Sequence, residues 1–180
     1  MVTSTATATA TPISKSIYTD LLPQLCTNQW KNNCARSIHL AFHPQTGDLW
    51  AVVQERDGLG DNLPSDYLIR VQEGGFYGWP YAYIGPHPQP GFANLAPDKV
   101  KATITPDLLF EAHSSTLDLV FYDATQFPAE MQGSAFVALK GSWNRSAPTG
   151  YKVVRVPFKD GKPVGYHENF MTGFWASGEQ

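Results

Sequence analysis

Four carboxylates, Glu55, Asp57, Asp61 and Asp66, fall in one Gly-containing stretch that follows an apolar run. Calcium takes about six to eight hard oxygens from carboxylates and backbone carbonyls in flexible geometry, so this stretch is a candidate cation loop. It lacks EF-hand spacing, and a solvated acidic turn is the plainer reading. His113 stands in Glu111-Ala112-His113-Ser114-Ser115 just before an apolar run. A lone histidine there serves either as a structural hydrogen bonder or as a group facing a ligand.

Cys26 and Cys34 are close enough for a disulfide across a short polar loop, or they are two free thiols. Only His39 and His43 lie near enough to complete a zinc site, and the spacing matches no closed-site pattern. No Gly-x-Ser-x-Gly elbow and no P-loop is present. Gly58-x-Gly60 lacks the third glycine and the following helix of a dinucleotide fingerprint. Asn144-Arg145-Ser146 is a glycosylation sequon that matters only in a secreted chain.

These residues sit in a chain of turns. Its 180 residues include 15 Gly and 14 Pro against 13 basic and 16 acidic side chains, which argues against a coiled coil or helical bundle. The net charge of -3, with Lys and Arg scattered singly, disfavours a nucleic-acid partner. No apolar run approaches the roughly 20 residues of a membrane helix, which predicts a soluble or secreted protein. The 10 Phe, 8 Tyr and 5 Trp are enough to build a core.

Short period-two runs predict strands at Ile38–Phe42, Leu49–Val53, Tyr67–Val71, Leu117–Tyr122, Ala135–Lys140 and Tyr151–Phe158, with Pro44 and Gly47 making the first turn. Phe76 to Tyr83 is aromatic, but Gly78 and Pro80 disfavour a central strand there. It reads either as packing between blades or as a surface for stacking the rings of a ligand. The segments Ile38 to Val71 and Leu117 to Phe170 each hold three or four strands, the size of a propeller blade. The fold expected is an all-β propeller, with two blades and parts of a third on this chain.

Three motifs occur in order: Glu55-Arg56-Asp57-Gly58-Leu59-Gly60-Asp61, Gly74-Gly75-Phe76-Tyr77-Gly78-Trp79-Pro80 and Gly141-Ser142-Trp143-Asn144-Arg145. Together they resemble the soluble quinoprotein glucose/sorbosone dehydrogenases, a family that includes the PQQ-dependent pyranose dehydrogenases. The resemblance runs from about Arg36 to Phe174 and implies a six-bladed β-propeller that binds pyrroloquinoline quinone (PQQ) and calcium on its axis. The activity it implies is oxidation of the anomeric carbon of a sugar by hydride transfer. It divides the chain into residues 1–35, a disordered or unrelated segment, and residues 36–180, a partial propeller domain.

The resemblance also implies site residues. Calcium would rest on the backbone carbonyls of Asp57 and Gly58. PQQ carries three carboxylates, so its seat needs fixed cations, and Arg36 and Lys140 are the ones implied. Arg36 departs from the family pattern, since Arg36-Ser37-Ile38 lacks the expected Asn. Lys140 also reads as a strand-end lysine snorkelling to water. His113 corresponds to a histidine that often faces the central funnel of the family. The family's catalytic base, a histidine in a His-Asn-Gly-type motif, has no counterpart in this sequence.

Two functions follow as expectations. One is a fragment of a PQQ- and calcium-dependent sugar dehydrogenase, inactive alone and extracellular by resemblance, although Met1 to Thr11 is no secretory signal peptide. The other is a non-catalytic partial propeller that binds carbohydrate or protein. Either would self-associate through open blade edges.

Overall fold

The computed structural model describes residues 36–175, with side chains from residue 39 onward. Residues 1–35, with Cys26 and Cys34, lie outside the described residues, as does the side chain of Arg36. Two four-stranded antiparallel sheets make up the fold. The first contains β1 (Arg36–Phe42), β2 (Leu49–Gln54), β3 (Ser65–Arg70) and β6 (Leu108–Ala112), side by side in that order. The second contains β7 (Thr116–Phe121), β8 (Ala135–Leu139), β9 (Lys152–Val156) and β12 (Glu168–Met171).

Each sheet is one propeller blade. The predicted strands recur with shifts of a residue or two at their ends, and no helix exceeds the six residues of α1 (Pro97–Ala102) among the described residues. Within the two large sheets the structure adds two strands to those six: β6 closes the first blade, and β12 closes the second. No further four-stranded sheet occurs among the described residues. Small hairpins, β4 (Ala82–Tyr83) with β5 (His87–Pro88) and β10 (Phe158–Lys159) with β11 (Lys162–Pro163), decorate the connections.

The main core lies between the blades. Trp50, Val52, Leu68 and Phe110 from the first blade meet Leu119, Phe121, Val137 and Val154 from the second. Every second residue of these strands contributes, as period-two alternation requires. His43, raised above as a zinc candidate, belongs to this core instead. Its Nδ1 accepts the Thr46 N–H at 3.2 Å and so braces the β1–β2 turn, and its ring lies edge-on to Phe121. Burial lowers its pKa from the ordinary histidine value.

The other face of the first blade carries Ala51, Val53, Tyr67 and Ile69. It is covered by the excursion between β3 and β6, through Tyr77, Ile84 and Ile104. Packing, rather than ring stacking, is therefore the main role of the aromatic segment. Gly75 allows this close approach, because a Cβ there would come 2.7 Å from the Tyr77 hydroxyl and 2.8 Å from Ile104 Cδ1.

Leu119 is 2% exposed between the blades, whereas Leu109 on β6 is 44% exposed. Leu119→Ala should cost about 2–5 kcal/mol in urea unfolding and Leu109→Ala within about 0.5 kcal/mol. Equal costs would contradict an inter-blade core.

Candidate functional site

Strand pairing brings the chemistry-bearing residues to one end of the two blades. Arg36 pairs with Gln54, Ser65 with Ala112, Thr116 with Leu139, and Leu139 with Lys152. The connections leaving that end are the Glu55 loop, the His113–Ser115 turn, and the segment from Lys140 to Tyr151. Asp57, Gly58, His113 and Lys140 thus share one rim, together with the backbone of Arg36.

The four carboxylates of the loop do not converge. Glu55 is buried and faces the N–H groups of Arg56 at 3.2 Å and Ile84 at 3.4 Å. Asp66 is buried at the start of β3, where its two oxygens accept from the N–H groups of Glu55 at 2.9 Å and Ser115 at 2.6 Å. Asp61 accepts the Ser146 N–H at 3.0 Å, and the hydrogen bonding of Ser146 holds its pKa below the ordinary carboxylate value. Asp57 turns to the second blade, where Asn144 Nδ2 donates to its Oδ1 at 2.6 Å.

His113 completes that contact. Its side chain is 4% exposed, with Nε2 2.8 Å from the Gly60 carbonyl and Nδ1 3.3 Å from both Asp57 Oδ1 and Asn144 Nδ2. The Gly60 carbonyl can only accept, so Nε2 carries a proton. In the neutral ring Nδ1 then accepts from Asn144, and in the cation it donates to Asp57. Both ring nitrogens are therefore held by the chain itself. Asn144, read in the sequence only as a sequon, is the linking residue. Its Nδ2, the atom a glycan would occupy, is the donor to Asp57.

The Gly-Ser-Trp-Asn-Arg motif has a local cause. Gly141 has φ 107°, and a Cβ there would run into the Tyr151 ring, whose hydroxyl donates to the Ser142 carbonyl. Arg145 reaches back to the Ala112 carbonyl at 3.2 Å and Asn62 Oδ1 at 3.0 Å. Lys140 donates its backbone N–H to Ser115 at 2.9 Å, so it starts beside the His113 turn. Its side chain is exposed and makes no ion pair among the described residues.

An exposed, unpaired cation at this rim suits a polyanionic cofactor such as PQQ, and Lys140 is one residue that could hold a carboxylate. A calcium ion on the loop carbonyls would have to share the one on Asp57. Arg56 Nε already donates to the Asp57 carbonyl at 2.6 Å. No group of three or more His, Cys, Asp or Glu side chains among the described residues is arranged to hold a metal ion.

Known proteins share this architecture. The structure matches the calcium structure of the Trichoderma reesei carbohydrate-active enzyme of family AA12 with a TM-score of 0.59 at 23% identity, over 77% of this chain and 42% of that one. It matches the holo form of the pyranose dehydrogenase PQQ domain from Coprinopsis cinerea with a TM-score of 0.55 at 19% identity, over 76% and 42% of the two chains. The fold is that of a β-propeller.

In sequence, the TrAA12-like family profile matches residues 97–174. An uncharacterized protein of Borreliella burgdorferi is 33% identical over 141 residues, 77% of this chain and 37% of that protein. The pyrroloquinoline quinone-dependent pyranose dehydrogenase of Coprinopsis cinerea is 43% identical over 54 residues, 30% of this chain and 7% of the enzyme. The resemblance seen in the three motifs holds: over part of its length the chain is similar in sequence to a PQQ-dependent pyranose dehydrogenase and shares its fold. It spans less than half the length of each of these four proteins.

Burial pushes Glu55 up to about 7 and Asp66 up to about 6, both above their ordinary values. A carboxyl raised on folding binds more protons in the folded than in the unfolded chain, so its ionisation erodes stability as pH rises. Glu111 works in the opposite sense. His167 and Lys152 hold it below its ordinary 4.5, so its contribution is lost in acid and is in place above about pH 5.5. The urea midpoint should therefore fall between about pH 5.5 and pH 8, and Glu55→Gln should flatten the slope. Burial of neutral His43 acts in the opposite sense below about pH 6.5, so the variant decides: equal slopes in wild type and Glu55→Gln would contradict the burial of Glu55.

Proposed function

We propose that this chain is part of a PQQ-dependent sugar dehydrogenase that oxidises the anomeric carbon of an aldose or sorbosone-like sugar. The observation that supports the reading is the convergence of Asp57, His113 and Lys140 on one rim of two propeller blades. Bound there, PQQ supplies a hydride acceptor. Lys140 holds a carboxylate, His113 fixes the Gly60 carbonyl and the Asp57 side chain, and Asp66 keeps the His113 turn in place. Turnover by this chain alone is not expected, because hydride loss needs the sugar hydroxyl deprotonated and the sequence has no counterpart of the His-Asn-Gly histidine that the resemblance makes the base.

Calcium enters this reading only if it shares the Asp57 carbonyl with Arg56. Extracellular location likewise belongs to the proposal, as does a sugar as the partner molecule. Among the described residues no helix is long and apolar enough to cross a membrane. A second reading, a non-catalytic partial propeller that binds carbohydrate or protein, is favoured by one observation. Both ring nitrogens of His113 are occupied internally.

Titration with PQQ, followed by cofactor absorbance with calcium and again with chelator, separates the two. Saturation that weakens in Lys140→Ala supports the dehydrogenase reading. No binding up to about millimolar, a free energy weaker than about -4 kcal/mol, would overturn it. Loss of binding on chelation, restored by added calcium, would make calcium part of the site.

The open blades carry a second expectation. Leu117 and Val120 on β7 are exposed apolar side chains, so sedimentation should reveal self-association. A monodisperse monomer would count against open blade surfaces.

A further inference from the structure

The loop that carries Asp57 has a second neighbour. While Asp57 turns to Asn144, the residues on either side of it, Arg56 and Gly58, join Leu59 in lining a cavity of about 360 Å³. The opposite wall is Trp79, Pro80, Pro90 and Phe92 of the excursion between β3 and β6. The size falls in the range of small-molecule pockets, about 300–1,000 Å³. The walls are flat and apolar: an indole, a phenyl ring and two pyrrolidines.

Two polar groups of this lining lack partners. Arg56 uses Nε on the Asp57 carbonyl, and its terminal nitrogens have no ion pair or hydrogen bond among the described residues. Trp79 Nε1 is buried without an acceptor among the described residues, a costly state for an N–H. Gly58, at φ 90°, makes room for the guanidinium, since a Cβ there would come 3.0 Å from Arg56 Nη2.

One unpaired guanidinium fork matches one carboxylate, with two parallel N–H···O bonds. Aromatic and proline walls match the faces of a ring. We propose that this cavity binds a small six-membered ring bearing a single carboxylate, with the carboxylate on Arg56 and the ring against Trp79 and Phe92. A uronic acid and an aromatic acid share that chemistry. The site uses neither His113 nor Lys140, and shares with the cofactor reading only Arg56 and Gly58 at its calcium loop.

The test is calorimetry and tryptophan fluorescence on the purified chain with glucuronate, benzoate and glucose, without quinone. An acid should saturate in about the millimolar range, with glucose at least about tenfold weaker. Arg56→Gln should bring the acid down to the glucose level, whereas Phe92→Ala should weaken all ligands alike. If Arg56→Gln loses its native circular dichroism, Arg56→Lys keeps the charge, removes the fork and should show the same loss in part. Glucuronate above benzoate assigns a carbohydrate, the reverse assigns an aromatic acid, and either supports the site. Equal binding of glucuronate and glucose would overturn it. So would unchanged acid binding in a folded Arg56→Gln, or no saturation by either acid. Displacement of the acid by added PQQ would also overturn it, by making the cavity the cofactor's own seat.

Discussion

Asp66 is 1% exposed, and both of its oxygens serve backbone or hydroxyl donors from outside its own strand. Oδ1 takes the Glu55 N–H, where the acidic loop leaves β2. Oδ2 takes the Ser115 N–H and the Ser114 hydroxyl, where the first blade passes to the second. That turn runs through two non-glycine residues in left-handed backbone, His113 at φ 66° and Ser115 at φ 59°. Such backbone costs about 1–3 kcal/mol per residue and persists only where its surroundings over-determine it. The carboxylate of Asp66 supplies that constraint, so the positions of Asp57, His113 and Lys140 all depend on it.

The excursion between β3 and β6 adds a second constraint. It leaves the opposite end of the blade, crosses the face built by Val53 and Ile69, and brings the Ile84 N–H to Glu55. The loop is thereby gripped from three directions: by Asp66 beneath, by Asn144 from the second blade, and by the excursion. Side chains within it are left free to face outward only where no neighbour claims them, as at the tip of Arg56.

Much of the fold was legible in the sequence because the first three strands of each blade are short apolar runs set between turn residues. β6 escaped for a physical reason: Leu108–Ala112 pairs with β3 across the whole excursion, and a local pattern carries no information on so distant a partner. The site was half legible. Asp57 and His113 stood out by type, but Asn144 reaches them across 87 and 31 positions, a closeness no spacing rule expresses. Nor could composition tell which carboxylates face inward. Asp66, Tyr67, Leu68 and Ile69 are all buried in succession, so alternation fails where both faces of a strand are covered.

The late arrival of β6 also sets an order of events in synthesis. The second blade is close to a meander, each strand pairing with its predecessor, and such local contacts form fast. In the first blade, β3 leaves the ribosome with one edge open and both faces apolar, and must wait for the excursion before Leu108–Ala112 closes it. During that interval Trp50, Val52 and Leu68 have no opposing blade and Tyr67 and Ile69 have no cover. The emerging chain passes through a window in which an unpaired, two-sided apolar strand is its most exposed feature.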